Sequence, residues 1–394
     1  MQGIPERSRS RAALGLAAVL VVVVVVVLLL PASPVAALPS APSAQVVAEP
    51  SPVLGTDKQR HLVYEILLEN RADVSVTIDR LVVRDAATHE KVASFGPQAL
   101  ADLVFLLDPP GATTTLPPGS TAFAFVDVRL PARGSVPKAL THRLALSLQR
   151  PGQPSHRLIV EAAPTGVDRR SPIVLGRPLR GGNLLVADGC CSRGVHAHSL
   201  VPFDDQWFNA QRYAIDWLRL DETMSTTSLG DPTLNESYLI WGADILAVAP
   251  GTIVATRDGM ADNTPPLDPP PLPLDALLGN GVVQDLGGGR FALYAHMQNG
   301  SVRVHPGDHV QRGDILGSVG NSGGSNEPHL HFQVTDSAGG PSALAANALP
   351  YVFDKFRLQG TIPDLANPEI VPPAPPLVRT RQLPLMGDIQ DFGP

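Results

Sequence analysis

Five of the eleven histidines lie between His296 and His331. The densest piece is Pro328-His-Leu-His-Phe-Gln-Val334. In a strand, residues i and i+2 share one face, so His329 and His331 point one way while Leu330 and Phe332 point into a core. Two imidazoles on one face suit a metal ligand beside an acid–base group. They equally suit two surface histidines on an edge strand, and the spacing alone does not choose. His296 closes a second apolar run, Phe291-Ala-Leu-Tyr-Ala-His296. Tyr213-Ala-Ile-Asp216 sets a carboxylate in an apolar strand context. An unpaired charge there would be costly, so Asp216 requires a cation or strong donors, with a salt bridge to Arg212 or Arg219 as the plain alternative to a metal.

The elements that must carry these residues read as β-structure in two blocks. In the first, His61–Leu68, Val74–Ile78, Arg80–Val83, Ala122–Val128, His142–Leu148 and Leu158–Val160 are short, β-branched and often alternating. Turn-like pieces such as Pro117-Pro-Gly119 separate them. Such spacing predicts an immunoglobulin-like β-sandwich over 57–164, with no cluster of His, Cys or paired carboxylates. In the second block, 165–360, strands are expected at 244–248, 252–256, 281–285 and 291–296. The stretch Pro265–Pro273 is too proline-rich for a central strand and is expected to be a loop. Residues 38–56 read as a Pro/Ala/Ser-rich linker and 361–394 as a Pro-rich tail lying over the surface.

The order of these motifs resembles the lysostaphin-type (LytM-domain) zinc endopeptidases. Asp216, Gly242-Ala-Asp-Ile-Leu-Ala-Val-Ala-Pro-Gly251, Leu293-Tyr-Ala-His296, Gly307-Asp308, Val310–Gly317, the Gly320-Asn-Ser-Gly-Gly324 turn and His329-Leu-His331 carry the likeness, which spans roughly residues 180–345. The resemblance implies a compact, mostly antiparallel β domain with a groove for this stretch, which with the sandwich before it makes the expected chain all-β. It implies a Zn2+-dependent endopeptidase acting on peptidoglycan peptides. Asp216 and His331 match metal ligands of that family, while His296 and His329 match the histidines that flank the metal, orient or deprotonate the attacking water and stabilise the oxyanion. The chain departs from the pattern four residues before Asp216, where Arg212 replaces a histidine. A guanidinium has no free lone pair to offer zinc. Either His196 or His198 in Gly194-Val-His-Ala-His-Ser199 supplies the third ligand, His196 being the closer match, or zinc binding is lost. A zinc-free LytM-like regulator of cell-wall hydrolases, or a wall-binding protein, is therefore the alternative function. A purely adhesive β-protein would leave the histidines unexplained.

Composition and the N-terminus bound the partners. The net charge is −7, so no basic surplus exists for nucleic acid. Charged residues make up 17%, too few for a coiled coil or a charge-laced helical bundle. Arg7, Arg9 and Arg11 precede an apolar run from Ala12 to Leu30, and small residues follow to Ala37. That is the pattern of a signal peptide, or of an N-terminal membrane anchor, over 1–37. The expected location is extracytoplasmic, secreted or in the cell envelope. Cys190 and Cys191 are too few and too close for a disulfide framework or a zinc site; a vicinal disulfide, free thiols or pairing with another chain remain open for them. His305 and His309 read as solvated turn residues, and Gly320, Gly323 and Gly324 as turn glycines.

Overall fold

The computed structural model describes residues 42–150, 152–191, 194–339 and 343–394. The apolar run expected to be a signal or anchor lies outside those residues. Among the described residues no helix is long and apolar enough to cross a membrane. Among the described residues, apart from the helix Pro97–Leu103 and three short 3-10 turns, the regular structure is strands. The all-β expectation holds, and the sheets around the site are antiparallel.

The first half is a pair of antiparallel sheets around one core. One sheet runs in the order Ser43–Val46, Gln59–Glu69, Thr121–Pro131, Val104–Leu107, Pro110–Ala112, and the other in the order His156–Gly166, Ala139–Gln149, Ser75–Asp85, Lys91–Phe95. Strand alternation decides what each residue meets. Leu62, Tyr64, Ile66 and Leu68 face inward and pack with Val76, Ile78 and Leu144. The intervening Val63 and Leu67, with Phe123 and Phe125, face outward and join the core cluster of the second half, which also holds Tyr213, Trp217 and Phe332. The strand Gln59–Glu69 is thus buried on both faces from His61 to Leu68. Burying a large apolar side chain contributes roughly 1.5–3 kcal/mol, so these four make the seam a shared core and not a loose tether.

The second half is built on a ten-stranded sheet, with three two-stranded sheets beside it among the described residues. Its centre runs Asn280–Asp285, Phe291–Met297, Leu330–Thr335, Ile215–Arg219, Leu184–Asp188, Asp388–Asp391. One face of it carries Trp217, Tyr294, Leu330, Phe332 and Val334 into the core. The opposite face is left for Asp216 and His331.

Two expected boundaries are corrected. Residues 38–56 are not simply a linker, because Ser43–Val46 and Pro52–Leu54 both pair with Gln59–Glu69. Val53 is fully buried there, and Pro52 sits at the start of its strand, where a missing N–H is tolerated. Nor is 361–394 a surface tail throughout. Pro372, Pro375 and Pro376 are exposed, yet Asp388–Asp391 then enters the sheet between Leu184–Asp188 and Phe356–Thr361. The buried side chains of Leu383 and Ile389 provide the apolar reason for that return.

Within the seam, His61 is buried between two carboxylates, its Nδ1 2.9 Å from Asp127 and its Nε2 3.2 Å from Asp57. Burial alone would lower the imidazolium pKa, but the two aspartates outweigh it and raise it to about 9. A raised pKa stabilises the fold fully below the unfolded value of about 6.5, and that stability is lost as pH rises through about 9. Denaturant unfolding between pH 6.5 and 10 should therefore show a loss on the order of 3 kcal/mol from His61 in the natural chain. His61→Gln should show a loss smaller by about that amount, the remainder coming from His196, which is likewise raised to about 9, and an unchanged slope in the variant would refute the assignment.

Candidate metal centre

Strand register brings the first two residues together. Ile215 and Trp217 point into the core, so Asp216 faces the other way. In the antiparallel pairing, Asp216 lies opposite His331, and Ala295 lies opposite His331 on the other side. His331 Nδ1 comes to 2.8 Å from Asp216 Oδ1. Its Nε2–H donates to Gln333 Oε1 at 2.9 Å, which fixes Nδ1 as the ring atom turned toward the carboxylate.

The third arrives from a loop. Val195–His198 is a single 3-10 turn after the strand Leu184–Asp188. Asp188 Oδ2 accepts from the His196 backbone N at 3.1 Å and lies 3.8 Å from His196 Nδ1. His196 Nε2 then lies 3.2 Å from Asp216 Oδ2. A Cβ at 194 would fall 1.9 Å from Asp188 Oδ1, so a larger residue there would displace the carboxylate that holds His196.

His296 and His329 complete the wall. His296 has a left-handed backbone, φ 59°, which bends the end of its strand. Its Nδ1–H donates to the Ser322 carbonyl at 2.7 Å, and Gly320, where a Cβ would fall 2.2 Å from the Gln298 nitrogen, donates its N–H to the His296 carbonyl. His329 Nδ1–H donates to the Glu327 carbonyl at 2.9 Å. Both rings thus keep Nε2 for the groove. His329 Nε2 is buried without a hydrogen-bond partner and lies 3.7 Å from Asp216 Oδ1. The rings of His296 and His329 are 4.6 Å apart. The groove they line is a cavity of about 590 Å3, walled by Leu218, Leu274 and Leu277 and rimmed by Asp268 and Pro269 of the proline-rich loop.

Electrostatics follow from this crowding. Burial alone would raise the Asp216 carboxyl, but His196, then His329 and His331, hold it well below the usual carboxylate range. Burial alone would depress His196, but Asp216 raises it to about 9. Burial, with His329 and His331 beside it, pushes His296 well below the ordinary imidazole value.

A metal ion fits this donor set. One ligand atom each from His196, Asp216 and His331 lie within 4.8 Å of one another. Three N/O ligands beside an open position are the pattern of a catalytic zinc site, and the orphaned Nε2 of His329 faces the same space. A second such trio, His61, Asp127 and Cys191, is otherwise committed. Both His61 nitrogens meet carboxylates, and Cys191 is bonded to Cys190 in a vicinal disulfide.

Neither arginine near Asp216 is its counterion. Arg219 donates to the Arg180 carbonyl. Arg212 turns away from the groove to Glu65 of the sandwich, donating from Nε to Oε1 at 3.0 Å and to Oε2 at 3.1 Å, with a further bond from its terminal nitrogen. His198 also leaves the ligand set, stacking on Phe105 with ring centres 4.6 Å apart. His305 and His309 are exposed. Sequence reasoning did not find Asp188, Gln333 or Glu65. Gln333 carried a signal, since it shares a strand face with His331, whereas the other two belong to no motif.

Residues 239–342 match the family model described as peptidase family M23. The chain carries a peptidase family M23 domain. The match takes in His296, His329 and His331 and begins after Asp216, so the Arg212 departure and the His196 loop lie outside it. Similar solved structures include the catalytic domain of a mutant of the prophage-encoded M23 protein EnpA from Enterococcus faecalis, with 21% identity over 46% of this chain and 93% of that one and a TM-score of 0.25. The catalytic domain of the antimicrobial peptidase lysostaphin from Staphylococcus simulans is 21% identical over 38% of this chain and 80% of that one, with a TM-score of 0.22. Csd3 from Helicobacter pylori is 13% identical over 74% of this chain and 70% of that one, with a TM-score of 0.24. No curated protein matches the chain.

The Glu65–Arg212 pair makes its own prediction. Arg212→Met leaves a fully buried carboxylate without its cation, and urea unfolding should show a loss of about 3–5 kcal/mol. The double variant Glu65→Leu with Arg212→Met should recover most of that loss. Losses that simply add would mean the two charges are not coupled.

Proposed function

We propose that this M23-domain protein is an exported zinc-dependent endopeptidase that hydrolyses peptide bonds of peptidoglycan. The N-terminal segment would serve as its export signal or membrane anchor. The observation that carries the proposal is the convergence of His196, Asp216 and His331 despite the arginine at 212. In this reading those three hold zinc. Zinc so held supplies Lewis acidity, polarising an amide carbonyl and making water acidic enough to lose a proton near neutral pH.

The chain's own groups do the rest. The Ser322 and Glu327 carbonyls keep the protons of His296 and His329 on Nδ1, so each Nε2 faces the groove as a lone pair. An amide hydrolysis must take one proton from water and return it to the leaving amine. His329, nearer to Asp216, is placed to take and return it at Nε2. His296 stands beside it, its ring 4.6 Å from that of His329, where its Nε2 lone pair can accept a hydrogen bond from the attacking water and orient it. Asp216 and His331 keep their places because they sit on paired strands, and His329, just before the second of these, is held by its bridge to Gly320. The apolar walls at Leu218, Leu274 and Leu277 reduce access of bulk water.

The test is elemental analysis of the purified chain from about residue 40, beside His331→Ala and His196→Ala. Near-stoichiometric zinc, lost in both variants, is the expected result. No zinc after reconstitution would sink the peptidase and favour the zinc-free regulator. Zinc retained by His196→Ala would refute its ligand role. Digestion of purified cell walls, read by the masses of released fragments, should give new amino termini with the natural chain and none with His329→Ala.

A further inference from the structure

The loop that carries His196 is held by the sandwich as well as by its own sheet. Asn209 Nδ2 lies 2.9 Å from Glu65 Oε1 and 3.4 Å from the His196 carbonyl. Asn209 therefore bridges a sandwich carboxylate to the backbone of the proposed ligand. Glu65 itself is fully buried and is forked by Arg212, three residues beyond Asn209 and four before Asp216. Two residues past His196, His198 stacks on Phe105 at 4.6 Å and tilts against Phe123 at 6.1 Å. Both phenylalanines belong to strands of the sandwich. On the other flank, Tyr213 donates to the Ser51 carbonyl at 3.3 Å. Glu65, Phe105 and Phe123 share one face of one sheet, Ser51 directly precedes the strand Pro52–Leu54 that pairs onto it, and together the contacts reach both ends of the segment joining His196 to Asp216.

We propose that Glu65 is a positioning residue for the metal centre: through Asn209 and Arg212 it fixes the loop that presents His196, so the sandwich completes the site and does more than carry it. His196 sits on a 3-10 turn outside the sheet, and the sandwich supplies part of its support. The inference rests on the zinc-site reading above. Residues that orient a ligand alter metal affinity by about 10–100-fold when removed, whereas a residue that only holds two halves together changes unfolding without changing affinity.

The experiment compares the natural chain with Asn209→Ala and with the double variant Glu65→Leu/Arg212→Met, which removes the carboxylate while filling the seam with apolar groups. Zinc dissociation constants are measured by competition with a chromophoric chelator, beside thermal unfolding of the metal-free proteins. The expected result is a 10–100-fold weaker affinity in both variants, with metal-free unfolding of at least the double variant close to the natural chain. If Asn209→Ala does not fold, the double variant and Phe105→Leu carry the test. Zinc bound as tightly by the folded variants as by the natural chain overturns the positioning role and leaves the zinc reading standing. A natural chain that binds no zinc overturns both.

Discussion

The carboxylate of Asp216 lies on a central strand, on the face that its neighbours Ile215 and Trp217 leave free. Its environment could not tolerate a bare charge. Three imidazoles, His196, His329 and His331, meet it instead. His331 is delivered by the strand Leu330–Thr335 and His329 by the bridged residue that leads into it, on the same side, and the third must come from elsewhere. Much of the groove follows from this requirement. Gln333 turns His331, Asp188 pins the backbone of His196, and the carbonyls of Glu327 and Ser322 turn His329 and His296. Without proton or metal the lone pairs of these groups would repel one another, which is the physical reason a cation suits the space between them.

A second buried charge lies in the seam. Arg212 and Glu65 are both nearly inaccessible to water. A buried ion pair is weak evidence for stability, since desolvation can cancel its attraction. What it does provide is geometry: a planar guanidinium accepts a carboxylate in few orientations. Fixing Arg212 on Glu65 also removes its charge from the neighbourhood of the groove, where it would compete with a cation for Asp216. The seam thus separates two carboxylates, one given to an arginine and one to histidines.

The legible part of this molecule was the part governed by short periods. His329, His331 and Phe332 alternate as a strand requires, and Asp216 stood out as a charge in an apolar run. The strands of the sandwich were readable for the same reason. What escaped was set by distant contacts. Ser43–Val46 looks like linker because its apolar residues are few, and only pairing with Gln59–Glu69 makes it a strand. Asp388–Asp391 follows a proline-rich stretch and becomes a strand because two others leave room between them. Glu65 sits in an alternating strand where any outward residue reads as solvent-facing. Its burial depends on the second half docking against that face, which no local pattern encodes.

The arginine at 212 gains a different meaning from this arrangement. Taken alone, it suggests a site that has lost a ligand. In the fold, position 212 belongs to the seam: its side chain is directed at the sandwich, and the buried Glu65 there demands a cation. A histidine at 212 would leave that carboxylate to a weaker, titratable partner. The loop at 194–199 reaches Asp216 from the other side, and its glycine, its 3-10 turn and the carboxylate of Asp188 fit it for carrying an imidazole. In the proposed site the ligand would come from a loop supported by the seam. The ion pair of Arg212 and Glu65, with Asn209 beside it, would then join the β-sandwich to the proposed metal centre.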